Sequence, residues 1–257
     1  KSKELLIIQA GTPPAEIQES VGDLPQWFAA ALGMGVQDFD IVRVFENEPL
    51  PEHGAHSVVV ITGSWSMVTD LHPWSETTAK WIQQADALKI PMFGVCYGHQ
   101  LMAHAFGGEV GYLESGREMG CLEIERTNNE EDSLLVGLPS TFKAHLTHMQ
   151  TVIKIPNYAK VLARSKQDLH QIVRYSETSF STQFHPEFTP QIATACIHTR
   201  EEVLRKEGMD PNLMLAELET TPVPLIILKD LFKLTLERLD EIGLVGGIGP
   251  ESTVLYY

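Results

Sequence analysis

The sequence predicts an α/β fold: a doubly wound, mostly parallel sheet with a smaller antiparallel extension. Three observations carry that expectation. In the first hundred residues, short apolar runs alternate with helix-length amphipathic segments, the pattern of βαβ crossovers. At Pro91-Met92-Phe93-Gly94-Val95-Cys96-Tyr97-Gly98-His99-Gln100 a buried strand turns sharply into a helix, with a cysteine at the turn. From Glu109 onward the rhythm changes to short strands separated by polar turns, which reads as hairpins rather than crossovers. A chain of 257 residues, 43% hydrophobic and 21% charged, has material for a sizeable core in one large domain or two small ones.

Residues 5–9 are apolar without alternation, as in a strand buried on both faces, and end at the loop Gly11-Thr12-Pro13-Pro14. Helical spacing over 25–32 puts Trp27, Phe28 and Leu32 on one face. A second strand is expected over 41–45, and Pro49 and Pro51 make 46–52 a loop. The third strand, 58–61, runs into Gly63-Ser64-Trp65-Ser66. An amphipathic helix over 74–88 opens with Pro73 in its first turn. The strand 92–95 follows, then a helix over 100–106 closed by Gly107-Gly108. Further strands are expected at 110–113, 121–126, 152–155, 161–164, 171–175 and 180–184. Helices are expected over 190–206, from an N-cap at Asp210, and over 224–239 with Leu225, Leu228, Phe232 and Leu236 apolar.

A formal net charge of −15 argues against nucleic acid or an anionic membrane surface as partner, because the phosphate field would repel the chain. Three cysteines in no framework spacing point to a reducing compartment, hence a cytoplasmic location. Lys1-Ser2-Lys3-Glu4 leads into an apolar run too short for an export signal, and no stretch reaches membrane-spanning length.

The chemistry gathers at strand ends. In open α/β sheets, ligands sit outside the carboxyl ends of the strands. Gly63-Ser64, Cys96-Tyr97 and Phe184-His185-Pro186-Glu187 each follow a strand. A thiol nucleophile needs a base, and the base an orienting group; His185 and Glu187 can supply these. The turn at Cys96 pushes the side chain out of the sheet, and a helix N-terminus beneath it favours the thiolate. Small residues at Gly94 and Gly98 let strand and helix pass closely. The backbone N–H groups of Gly63 and Tyr97 are candidates for an oxyanion hole. Cys121, in a strand, and Cys196, in a helix, read as structural.

Gly94-Val95-Cys96-Tyr97-Gly98-His99-Gln100, the preceding Gly-Ser loop and Gln183-Phe184-His185-Pro186-Glu187 resemble the class I glutamine amidotransferases, over nearly the whole chain to about Leu239. Within that family the similarity is to the glutaminase domain of GMP synthetases. The resemblance implies the flavodoxin-like class I glutaminase fold. It implies Cys96 as nucleophile, His185 and Glu187 completing a triad, and Gly63 and Tyr97 as the oxyanion hole. Substrate contacts are implied at Ser64, Gln100, Glu118, Met119 and His148, the last three from Gly116-Arg117-Glu118-Met119-Gly120 and Thr147-His148-Met149-Gln150. The implied reaction is hydrolysis of the glutamine γ-carboxamide through a γ-glutamyl thioester, with no metal or other cofactor.

Three departures accompany the resemblance. The sequence carries no synthetase signature, neither a Gly-rich Lys/Ser nucleotide loop nor Ser-Gly-Gly-x-Asp-Ser. Two readings of the substrate follow: glutamine, with ammonia passed to a separate synthetase subunit, or γ-glutamyl conjugates cleaved by a γ-glutamyl peptidase with no partner. Second, Gly-Ser-Trp stands where much of the family has Gly-Gly-Pro, and Gln150 replaces an acidic residue. Third, residues 242–254 resemble the opening strand and loop of aspartate/glutamate racemases. The expected organisation is therefore a glutaminase domain over 1–240 and a tail over 241–257.

Overall fold

The computed structural model describes residues 3–127 and 132–246. The first strand, β1 (Leu5–Gln9), is followed by α1 (Ala15–Val21), α2 (Leu24–Leu32), β2 (Phe39–Arg43), β3 (Val58–Ile61), α3 (Pro73–Ala87), β4 (Met92–Val95) and α4 (Tyr97–Ala105). Then come β5 (Glu109–Tyr112), β6 (Glu118–Arg126), β7 (Thr141–His148), β8 (Gln150–Lys154), β9 (Lys160–Arg164), β10 (Ile172–Arg174) and β11 (Ser179–Thr182). Four helices follow among the described residues: α5 (Pro190–Thr199), α6 (Glu201–Lys206), α7 (Pro211–Ala216) and α8 (Pro222–Gly246).

Among the described residues, nine strands form one sheet in the order β2-β1-β3-β4-β11-β10-β9-β6-β7, and β5 and β8 pair separately. The pairs from β2 through β11 are parallel. From β11 through β7 they are antiparallel. The antiparallel extension is thus continuous with the main sheet. Strand β1 shows why both faces need cover. Leu5 and Ile7 join a core with Phe28 of α2 and Ile227 and Leu228 of α8. Leu6 and Ile8 join a second core with Ile82 of α3 and Leu101 and Met102 of α4. Successive side chains of a strand point to opposite faces, so an unbroken apolar strand requires helices on both.

Register brings the functional segments level. Ile61 pairs with Gly94, and Val95 pairs with Thr182. The loops after β3, β4 and β11 therefore leave the same edge. A third cluster, with Leu24 and Trp27 of α2, Phe188, and Ile192, Cys196 and Ile197 of α5, covers that edge.

Several elements differ from the sequence expectation. Strand β2 lies two residues earlier than 41–45, and residues Val44–Glu46 form a 3-10 turn instead. The helix expected over 190–206 breaks at Arg200, which ends α5 and begins α6. Strand β7 and helix α1 had no counterpart in the sequence reading. Asp210 caps α7 as expected, its carboxylate accepting from the N–H groups of Asn212 and Leu213. Helix α8 runs through residue 240, where the domain was expected to end, and continues to Gly246. Residues 242–246 are therefore helical, not the opening strand that the racemase resemblance implied; the remainder of that tail lies outside the described residues.

Candidate active site

Cys96 sits at the junction of β4 and α4 with φ +53° and ψ −101°, a left-handed conformation that costs a non-glycine residue about 1–3 kcal/mol. Neighbouring hydrogen bonds hold it there. The Cys96 N–H donates to Thr182 O at 3.0 Å, Gly98 N–H to Thr62 O at 3.1 Å, and Gln100 N–H to Cys96 O at 3.0 Å. The close passage needs its two glycines. A Cβ on Gly94 would lie 2.5 Å from the Gly98 carbonyl oxygen, and one on Gly98 would lie 2.3 Å from that of Ile61.

The imidazole of His185 stands against the Cys96 thiol, close enough that each group sets the other's charge. Its Nδ1 donates to Glu187 Oε1 at 2.6 Å. Phe188 stacks on the ring, with centroids 4.2 Å apart, and the His185 N–H donates to His145 O at 2.9 Å. All three groups are buried: Cys96 is 8%, His185 7% and Glu187 3% exposed. Burial pulls the His185 imidazolium down, but the Glu187 carboxylate and the Cys96 thiolate outweigh it and raise its pKa to about 10. Burial pushes the Cys96 thiol up, but His185 outweighs that, aided by His148, and holds the thiol below its ordinary value. The arrangement favours a thiolate beside an imidazolium.

Gly63 borders both groups: a Cβ there would lie 3.3 Å from His185 Cε1 and 3.7 Å from Cys96 Cβ. Its N–H makes no hydrogen bond among the described residues. The N–H of Tyr97, first residue of α4, has no partner within the helix. The Tyr97 side chain points elsewhere, its hydroxyl 2.6 Å from Ser75 Oγ. Ser64 and Trp65, from the loop after β3, line the small cavity of about 40 Å³ at Cys96 with Thr147 and Arg200. Ser64 Oγ also accepts from Ser66 N–H at 3.0 Å, fixing the turn. Arg200 belongs to the site but had no signal in the sequence beyond a helical run of charged residues.

The remaining expected contacts lie off this cavity. Gln100 is 4% exposed, and its amide already donates to Gln150 O at 2.8 Å and Gln183 Oε1 at 3.0 Å. Met119 is packed into the apolar cluster of α5. Glu118 and His148 face each other across β6 and β7. His148 Nε2 donates to Glu118 Oε1 and Nδ1 to Gln150 O, both at 2.7 Å, so the ring carries both protons. Burial opposes that charge, but Glu118 and Asp168 raise the His148 pKa above its usual value. Gln150 donates to Thr69 Oγ1 at 2.7 Å in place of any acidic contact. Glu118, His148 and Asp168 also bring one potential ligand atom each within 4.8 Å of one another. Their carboxylates already accept from Gln171, Ser165 and Thr151, so a metal would have to displace protein donors.

The family model for glutamine amidotransferase class-I matches residues 33–200, and the chain belongs to that family. It is similar to a subunit of the glutamine-hydrolysing GMP synthase of Pyrococcus abyssi, 38% identical over 109 residues, covering 42% of this chain and 56% of that one. A GMP synthase of Thermosipho melanesiensis is 40% identical over 103 residues, covering 40% of this chain and 19% of that one. The chain thus spans about half the length of the first relative and a smaller share of the second. A glutamine amidotransferase of Thermotoga maritima has the same fold, with TM-score 0.71 at 23% identity over 94% of this chain and 99% of that one. So does one of Methylobacillus flagellatus, with TM-score 0.68 at 22% identity over the whole of both chains, 100% of each. Among the described residues, no helix is long and apolar enough to cross a membrane.

Proposed function

We propose that the chain hydrolyses the side-chain amide of glutamine to glutamate and ammonia. The observation that carries this reading is the charge pairing of Cys96 and His185 at a strained turn, with Glu187 bound to the far side of the imidazole. The Cys96 thiolate attacks the γ-carbonyl carbon, forming a C–S bond and moving the carbonyl π electrons to oxygen. The N–H groups of Gly63 and Tyr97 receive that oxyanion, each donor worth about 10²–10³ in rate. The Nε2 proton of His185 goes to the departing nitrogen, the C–N bond breaks, and ammonia leaves a γ-glutamyl thioester. His185, now neutral, takes a proton from water, which attacks the thioester and releases glutamate and thiolate.

The relatives named as glutamine-hydrolysing subunits of GMP synthase support a second chain as the consumer of ammonia, a synthetase subunit. The test is ammonia release from glutamine by the purified chain, on its own and with such a second chain present. Cys96→Ala should lower turnover by at least about 10⁴-fold. Turnover unchanged in that variant would remove the reading.

A further inference from the structure

One cation lines the cavity without a hydrogen-bonded or directly ion-paired partner among the described residues. Arg200 lines the space at Cys96, at the break between α5 and α6. Among the described residues its guanidinium makes no hydrogen bond or ion pair. The contrast with its neighbour is sharp. Arg117 approaches the same region but is neutralised, its Nε 2.9 Å from Glu207 Oε2 and Nη2 3.2 Å from Oε1. Within the cavity, Glu187 is committed to His185. The Cys96 thiolate and Glu207 attract the guanidinium through space, but neither takes its N–H donors, which stay open to a ligand. A guanidinium with open N–H donors in a partly desolvated pocket is a receptor for a carboxylate, which it can engage through two parallel N–H donors.

The geometry points to Arg200 as the group that binds the substrate's carboxylate while its amide lies at Cys96. This rests on the proposed amide hydrolysis and narrows its substrate class. Accepted substrates would carry a free carboxylate at the end remote from the amide, as glutamine and γ-glutamyl compounds do. The same compounds with that carboxylate converted to an amide would be rejected. A role for Arg200 solely as counter-charge to the thiolate makes a different prediction, because it would speed every electrophile alike.

The test separates these. Cys96 is alkylated in the full-length protein with iodoacetate, an anion, and with iodoacetamide, its neutral analogue. Modification is assigned to Cys96 by peptide mass spectrometry, with Cys96→Ala as control for Cys196 in the same cavity. In Arg200→Met the iodoacetate/iodoacetamide rate ratio should fall about tenfold or more, and Arg200→Lys should retain most of it. Correspondingly, Arg200→Met should raise KM for glutamine about 10- to 100-fold with little change in kcat. A ratio unchanged in Arg200→Met, whether both rates hold or both fall together, overturns the carboxylate site. A ratio that falls while the unsubstituted protein leaves glutamine untouched keeps the carboxylate site and removes glutamine hydrolysis. Glutamine turnover that depends on Cys96 but not on Arg200 does the reverse.

Discussion

Strand β4, in the parallel half of the sheet, buries Met92, Phe93, Gly94 and Val95 and brings no polar side chain with them. Strand β7, in the antiparallel half, buries His145 and His148 among Phe142, Ala144 and Leu146. Both border the same cavity, through Cys96 on one side and Thr147 on the other. The parallel half shapes the site by backbone sterics: two missing Cβ atoms and a forced φ at Cys96. The antiparallel half contributes buried charge, the Glu118–His148–Asp168 group with Ser165 and Gln171 around it. Damage should accordingly differ in kind. Removing charge on one side should cost stability, and adding atoms on the other should cost chemistry.

Glu118→Ala should have the largest effect on stability. It removes the nearer of the two carboxylates beside the His148 imidazolium, leaving Asp168 at 4.0 Å, and takes an acceptor from Ser165 and Gln171; breaking a buried pair from one side costs about 3–5 kcal/mol. Urea unfolding measures this; a loss below about 1 kcal/mol would show that the charges are not what holds β6 to β7. Gly98→Ala should cost less stability, about 1–3 kcal/mol, because α4 can shift. Yet that shift moves Cys96 and Tyr97, so kcat should fall about 100-fold or more. Full activity in a folded Gly98→Ala protein would break the steric half of the comparison.

Gln100→Met sharpens it at the joint. Gln100 links α4, on the parallel side, to the backbone of β8 and to Gln183. Losing those hydrogen bonds should cost about 1–2 kcal/mol with KM for glutamine unchanged. If KM rises while stability holds, Gln100 contacts substrate and its present bonds are secondary.

The same contrast explains what the sequence disclosed. Continuous apolar runs such as Leu5–Gln9 and Val58–Ile61 have few other readings, so these parallel strands were legible to the residue. The elbow was legible because glycines at 94 and 98 flank a cysteine at a strand-to-helix boundary. Strand β7 was not. Buried His145 interrupts its inside-outside alternation, and a histidine does not count as apolar in any pattern. Helix α1 carries one buried residue, Ile17, in seven. Arg200 sits in Thr199-Arg200-Glu201-Glu202, which reads as a solvated helical face; only the kink between α5 and α6 turns it toward Cys96. Gln100, Glu118 and His148 were singled out for the site, but the buried hydrogen bonds that each makes were not legible. Residue type and spacing locate a polar group near a site without saying which neighbour takes its proton.

The thiolate–imidazolium pair is best tested by the pH dependence of iodoacetamide alkylation at Cys96, in the unsubstituted protein and in His185→Gln. Depression of the Cys96 pKa by His185 means that the thiolate persists below the ordinary cysteine range of about 8.5, so the rate should hold at more acidic pH than for a free thiol. In His185→Gln burial prevails, and the profile should move to higher pH than in the unsubstituted protein. Identical profiles for the two proteins, both titrating at or above the ordinary range, would contradict the pairing.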